Sequence, residues 1–155
     1  MKRRTNTIRA GFTLTELIMV VAVLAILMAI AIPRMGWGMM DKMQAETTAR
    51  KFSDHLKLAR SLAISNAGSN PDGYEVRVYI NDGIYKVIHG ATLKLVKPLI
   101  YLPEGVTMSA SLATTVFDFT PLGKLQSGTT KTVQFTKSGN TSIVTVTAIG
   151  RITVQ

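Results

Sequence analysis

The sequence contains no cysteine, only two histidines and only 17% charged residues over its 155 positions. The lack of cysteine excludes disulfides, thiolate metal sites and cysteine nucleophiles, and two histidines are too few for a multi-histidine metal centre. No P-loop, H-E-x-x-H or G-x-S-x-G motif occurs. Ser53, Asp54 and His55 are adjacent on a predicted helix, so their side chains diverge and cannot form a triad. We therefore predict no metal, no cofactor and no enzymatic activity, with His55 on a solvated helix face and His89 on a partly exposed strand.

Basic residues outnumber acidic ones by 18 to 9, which gives a formal net charge of +9. Four of the basic residues precede residue 10, namely Lys2, Arg3, Arg4 and Arg9. The rest of the chain therefore carries only a modest positive excess, which permits non-specific contact with phosphates but more commonly indicates a solvated basic surface. The length suits one compact domain plus one additional segment.

The additional segment is a single apolar run, in which residues 17–32 contain no polar side chain. Counted from Phe12 to Ile32, a helix of this length spans roughly 32 Å, enough for a hydrocarbon core of about 30 Å. We predict one transmembrane helix over residues 12–33. The basic residues before it place the N-terminus in the cytoplasm and the later residues outside.

A cleaved secretory signal peptide is an alternative interpretation of the same run. Ala29-Ile30-Ala31 fits a signal-peptidase site and would give a mature chain that begins at Ile32. An acidic residue at the start of the apolar run and a proline just after the cut argue against it.

Glu16 allows two interpretations, because Thr13-Leu14-Thr15-Glu16 is a capping box and an acid at the head of an apolar helix is also costly and often functional. A cap tolerates glutamine at position 16, whereas a role that needs negative charge does not. The residues alone favour neither interpretation.

The sequence GFTLTEL over residues 11–17, after a basic leader and before a long apolar run, resembles the class III leader junction of type IV pilins and type II secretion pseudopilins. The resemblance implies that residues 1–11 are a leader, which prepilin peptidase removes by cutting between Gly11 and Phe12. It also implies N-methylation of Phe12 and an assembly role for Glu16, whose carboxylate would pair with the α-amine of a neighbouring subunit.

A weak point of the helical stem is predicted at Pro33, Gly36 and Gly38, because proline costs about 3 kcal/mol and glycine about 1 kcal/mol inside a helix. We expect a kink or a locally melted segment there. Residues 34–70 are predicted to continue the stem as an amphipathic helix. Its apolar stripe consists of Ala45, Ala49, Phe52, Leu56, Ala59 and Ala63.

Residues 71–155 are predicted to form a β-rich domain on that stripe. Alternating apolar residues separated by turn signals indicate strands. The predicted strands cover residues 74–80, 84–89, 93–102, 106–109, 115–119, 132–136, 143–148 and 151–154. Pro98 interrupts the third of these, which indicates an edge strand or a break there. The fold class is therefore α+β, with a long N-terminal helix packed on an antiparallel sheet or sandwich.

Two further stretches resemble the GspH/FimT pseudopilin domain. FDFTPLGK over residues 117–124, followed by Ser127-Gly128-Thr129, is similar to its F-x-P-x-G-[RK]…G-G-T segment, with Ser127 in place of the first glycine. Gly150-Arg151 and the next residues are similar to its closing strand.

The resemblance implies a minor pseudopilin that assembles into the periplasmic pseudopilus of a type II secretion system. The alternative is a minor type IV pilus subunit of FimT type that takes part in DNA uptake, with Lys124 and Arg151 as DNA contacts. Thr153 stands where that motif has its second arginine, which weakens the alternative.

The implied partners are other pilins or pseudopilins through the N-terminal helix, prepilin peptidase and an inner-membrane assembly platform. The implied location is the inner membrane, crossed once, with the C-terminal domain in the periplasm.

Overall fold

The computed structural model describes residues 13–34, 37–110 and 114–155. The chain divides into two compact units, residues 1–36 and residues 37–155. The first unit contains helix α1 (Leu14–Arg34), and the second contains helix α2 (Trp37–Ser65) followed by eight strands. The predicted α+β fold class is confirmed.

Helix α1 begins directly after Thr13, which acts as its N-cap. The Thr13 hydroxyl accepts a hydrogen bond from the backbone N–H of Glu16 at 3.3 Å, as the first half of a capping box requires. Within the residues that the structure describes, no helix combines the length and hydropathy needed to cross a membrane. The span predicted over residues 12–33 starts at Phe12, which lies outside the described residues.

Helix α2 is amphipathic and buries the predicted stripe. All six stripe residues are at most 1% exposed: Ala45, Ala49, Phe52, Leu56, Ala59 and Ala63. Four of them are alanines, so the helix backbone lies close to the strands while the two larger side chains fill the space between layers. The helix ends at Ser65, before Gly68 and Asn70, instead of continuing to residue 70.

The strands form two four-stranded antiparallel sheets. The first has the order β3 (Ile100–Tyr101), β2 (Ile84–His89), β1 (Tyr74–Tyr79), β5 (Thr114–Phe119). The second has the order β4 (Thr107–Ala110), β6 (Lys131–Lys137), β7 (Asn140–Val146), β8 (Ile152–Val154). Asn81-Asp82-Gly83 makes the tight connection from β1 to β2, with Gly83 at φ +62°, as the turn chemistry predicts.

Phe52 on α2 joins the two sheets. Its ring contacts Tyr85 and Phe117 of the first sheet at centroid distances of 5.0 and 5.8 Å, and Phe135 of the second at 5.3 Å. Aromatic rings at these distances and angles attract one another beyond the effect of burial alone. One helix therefore covers both sheets with a single core, and the sheets form a split arrangement on it.

The interruption predicted at Pro98 within residues 93–102 is observed, and the short strand that remains, β3, lies at an edge of the first sheet. Only Ile100–Tyr101 pair as a strand, and Leu95 makes an isolated bridge to Ile88. Pro98 removes a backbone donor in this stretch, and Leu93 has a left-handed backbone with φ +54°, so the segment cannot keep a regular ladder.

The predicted weak point between the helices falls partly outside the described residues. Pro33 lies within α1 and Gly38 within the first turn of α2. Gly36 is not among the described residues, so the kink stays a prediction.

Candidate functional site

The start of α1 presents Glu16 on the exposed first turn. Its backbone N–H is capped by Thr13, whereas its carboxylate has no partner among the described residues. The cap thus forms through the Thr13 hydroxyl, and the acidic group is available for another role. Gly11 and Phe12, the predicted processing residues, lie outside the described residues.

The rest of α1 is an apolar surface that the described chain leaves uncovered. Every side chain from residue 14 to residue 30 is exposed, and the exposed fractions of the large apolar ones run from 48% for Leu24 to 74% for Leu14 and Met19. A monomeric soluble protein rarely exposes a patch of this size, and such patches mark sites of protein or membrane contact. The surface and Glu16 together form a candidate assembly site.

The two predicted DNA contacts lie on neighbouring turns of the second unit. Lys124 follows Gly123 and Arg151 follows Gly150, and both side chains are exposed. The turns touch because Gly150 packs against the carbonyl of Gly123, where any Cβ would clash. The structure therefore brings together two residues that are 27 positions apart in sequence.

Arg60 of α2 holds these turns and was missed as a site residue by the sequence analysis. Its Nε donates a hydrogen bond of 2.9 Å to the Gly123 carbonyl. Arg60 directly follows Ala59 of the apolar stripe, and the Gly123-Lys124 and Gly150-Arg151 turns contain glycines that permit close approach. An arginine beside the stripe together with these glycines was the sequence signal for the contact.

His55 is half-buried and bonded on both ring nitrogens, whereas the sequence predicted a solvated helix face. Its Nδ1 lies 2.8 Å from the Tyr85 hydroxyl, and its Nε2 lies 3.5 Å from Nζ of Lys97. The neutral tautomer with the proton on Nδ1 satisfies both contacts, because Nδ1–H donates to Tyr85 and Nε2 accepts from Lys97. Burial, then the Lys97 charge, lower the pKa of His55, and burial raises the pKa of Tyr85.

Asp118 on β5 is another half-buried group with a shifted pKa in this unit. It lies opposite Glu75 of β1 in the ladder, and its Oδ1 is buried without a hydrogen-bond partner in the described part of the chain. Burial, reinforced by the Glu75 charge, raises the pKa of Asp118. The Oε2 atom of Glu75 in turn accepts a hydrogen bond from Nε of Arg77 at 2.7 Å.

No catalytic constellation joins these groups. His55 and Asp118 lie on different elements, and the described residues hold no group of three or more His, Cys, Asp or Glu that could bind a metal ion. The geometry of the described residues thus offers surfaces for contact.

Comparison with known proteins identifies one sequence motif in this chain and one fold that it shares with solved structures. The prokaryotic N-terminal methylation motif matches residues 7–32. No curated protein matches the chain. Among solved structures, the type IV minor pilin FimU of Pseudomonas aeruginosa matches with a TM-score of 0.58 and 18% identity, over 76% of this chain and 92% of that one.

A second solved structure is similar to the same extent. The minor pseudopilin EpsH from the type 2 secretion system of Vibrio cholerae matches with a TM-score of 0.57 and 15% identity, over 72% of this chain and 96% of that one. Neither name is that of an enzyme. The chain is therefore pilin-like, with an N-terminal methylation motif followed by the fold of a minor pilin and a minor pseudopilin.

Proposed function

We propose that the protein is a minor pseudopilin of the GspH/FimT type, a subunit that assembles through α1 into the periplasmic pseudopilus of a type II secretion system. The observation that carries the proposal is the uncovered apolar surface of α1, headed by a carboxylate without a described partner. An apolar helix in water is costly, so its stable states are insertion in the inner membrane and burial among other helices. The subunit moves from the first state to the second, with its C-terminal domain in the periplasm.

Glu16 sets the register of assembly in this proposal. Prepilin peptidase cuts between Gly11 and Phe12 and methylates the new α-amine of Phe12. Inside a helical bundle a lone carboxylate or ammonium is destabilising, but the two stabilise each other when they are in contact. Only one axial position of a neighbouring helix places its amine at Glu16, so incorrect registers are disfavoured.

The first experiment measures the mass of the mature chain isolated from membranes. We expect a chain that begins at Phe12 and carries one added methyl group, and Gly11→Leu should leave the leader attached. A chain that begins at Ile32 would show a secretory signal and would contradict the proposal.

The second experiment separates the cap from the charge at position 16. Because the Thr13 hydroxyl caps the helix through the backbone, Glu16→Gln should leave the chain folded and processed. It should reduce incorporation into fibres by at least about tenfold, since a buried charge pair loses one partner. Thr13→Ala is the matched control, which removes the cap and keeps the acid. Normal assembly of the Gln variant would contradict the charge role.

A DNA-binding type IV pilus subunit is the second candidate, favoured by the juxtaposition of the Lys124 and Arg151 turns. A gel shift of the full chain over a salt series tests it. Each phosphate contact contributes about one unit to the slope of log K against log salt, so Lys124→Gln and Arg151→Gln should each lower the slope by about one. Lys51→Gln, an exposed lysine on α2, should leave the slope unchanged. Absence of binding at low salt would remove this candidate.

A further inference from the structure

Strand β8 forms one edge of the second sheet, and part of its backbone faces away from β7. Ile143 and Gln155 bond each other in both directions, with N···O distances of 2.8 and 2.9 Å. Bonded and non-bonded pairs alternate along an antiparallel ladder. Thr153 therefore bonds β7, whereas the N–H and C=O groups of Ile152 and Val154 point outward with no hydrogen-bond partner in the described part of the chain.

Two clefts follow this free edge where it runs beside α2. The first has a volume of about 320 Å³ and includes Val154 in its wall. The second has a volume of about 390 Å³ and includes Ile152. Lys57 of α2 lines both, so the two clefts adjoin at this side chain, and together they are called the groove.

The walls of the groove carry more basic than acidic side chains. Their basic side chains are Lys42, Arg50, Lys57, Arg60 and Arg151. The only acidic side chains among the lining residues are Glu46 and Asp54, which already pair with Arg50 at 2.6 Å and Lys57 at 3.2 Å. Lys42 and Arg151 make no side-chain bond within the described residues. An occupant of this groove is therefore expected to carry carboxylates.

We propose that the groove binds an extended, acidic segment of another protein, which pairs with β8 and becomes a fifth strand of the second sheet. Addition of a strand to a free edge is a common mode of peptide recognition, in which the backbone supplies affinity and the flanking side chains supply selectivity. Here the outward N–H and C=O groups of Ile152 and Val154 supply affinity, and the basic side chains of the groove supply selectivity. Such pairing does not depend on which fibre contains the protein.

The test uses two fluorescent ten-residue peptides of alternating glutamate and valine, one unmodified and one N-methylated at every backbone amide. The two have equal charge, but the second can donate no backbone hydrogen bond along either edge. With the full chain in detergent micelles, fluorescence anisotropy should show binding of the unmodified peptide. The N-methylated peptide should bind at least about tenfold more weakly, the effect of one or two lost hydrogen bonds. Hydrogen exchange should slow at the amides of Ile152 and Val154 only with the unmodified peptide.

A variant pair locates the effect on β8. Val154→Pro removes an outward N–H and no bond to β7, so the fold should persist and binding should weaken about tenfold. Lys51→Gln, a charge change on α2 away from the groove, should leave binding unchanged. The difference between the two peptides on the unaltered chain still tests strand pairing even if the proline variant fails to fold.

Three outcomes would overturn the proposal. Equal affinity of the two peptides would show adhesion by charge alone. Absence of binding and of amide protection at about millimolar peptide, the weakest range for specific recognition, would show that no strand is accepted. Protection of these amides by duplex DNA but not by the acidic peptide would identify a nucleic-acid surface instead.

Discussion

The two helices of this protein show how the arrangement of apolar residues determines what must cover them. Helix α1 is apolar on all sides, and each described side chain from Leu14 to Ile30 is exposed. Helix α2 confines its apolar residues to one stripe, which the two sheets bury completely. A one-sided stripe can be covered by a single layer of the same chain, whereas an all-round apolar surface needs lipid or several neighbouring helices. The core of the second unit thus depends on α2, whereas the described residues leave the apolar surface of α1 uncovered.

Replacement of one leucine in each helix by alanine should give the largest difference between the two helices in the free energy of unfolding. Leu56→Ala on α2 empties a fully buried position and should lower the free energy of unfolding of the second unit by about 2–5 kcal/mol. Leu24→Ala on α1, where Leu24 is 48% exposed, should change it by no more than about 0.5 kcal/mol. Urea unfolding of the full chain in mild detergent, followed by near-UV circular dichroism, measures both. Similar losses would show that α1 contributes to the folded core.

A fall in pH should lower the stability of the second unit through His55, which lies on α2. Its folded-state pKa is lowered, so it stays neutral in the fold while the unfolded chain binds a proton below about pH 6.5. Stability should therefore fall as the pH drops through 6.5, and the loss should be complete below the folded pKa. The groups around His55 are Tyr85, Lys97 and Asp54, and protonation would place two cations 3.5 Å apart at Lys97.

The measurement for His55 is the unfolding free energy of the full chain at about pH 7.5 and about pH 5, on either side of the unfolded-state pKa. His55→Gln should reduce the dependence on pH between these values, and His89→Gln should keep it. An unchanged dependence in the His55 variant would show that other groups cause it.

The smallest expected effect is a gain of stability at Asp118. This half-buried carboxylate faces Glu75 across the ladder, and like charges in opposite positions cost about 0.2–1 kcal/mol. Asp118→Asn should stabilise the second unit by that amount at pH 7. The raised folded pKa means that the fold takes up a proton first as the pH falls, so the advantage of the variant should shrink toward pH 4.

The matched control is Asp82→Asn, which changes an exposed carboxylate in the β1–β2 turn and should have little effect on the melting temperature. A loss of stability in the Asp118 variant would show that its carboxylate has a bonding role in the fold.

Periodicity predicted most of the fold because it records which side of an element is buried. The stripe of α2 and the alternation of Tyr74, Val76 and Val78 follow directly from covering one face of a helix or a strand. Residues 93–99 pair with β2 only in part, because Pro98 lacks a backbone donor, as the sequence predicted, and because Leu93 has a left-handed backbone, which the pattern does not reveal.

The site residues also divide into those predicted from local patterns and those that the sequence analysis missed. Glu16, Lys124 and Arg151 were predicted as site residues from local motifs, which need only a few neighbouring residues. The contacts of His55 with Tyr85 and Lys97 join residues 30 and 42 positions apart, and the contact of Arg60 with Gly123 spans 63. Such pairs depend on how helix and sheets meet, which no local pattern in one sequence records.

In the described part of the chain, every buried apolar residue is Ala45 or a later residue. The buried apolar interior of the second unit thus contains no described residue of α1. A chimaera that joins residues 37–155 to the first helix of a different pilin-like protein should keep its native interior and take its place of assembly from the donor. Such interchangeability would let one assembly apparatus display many different surface domains.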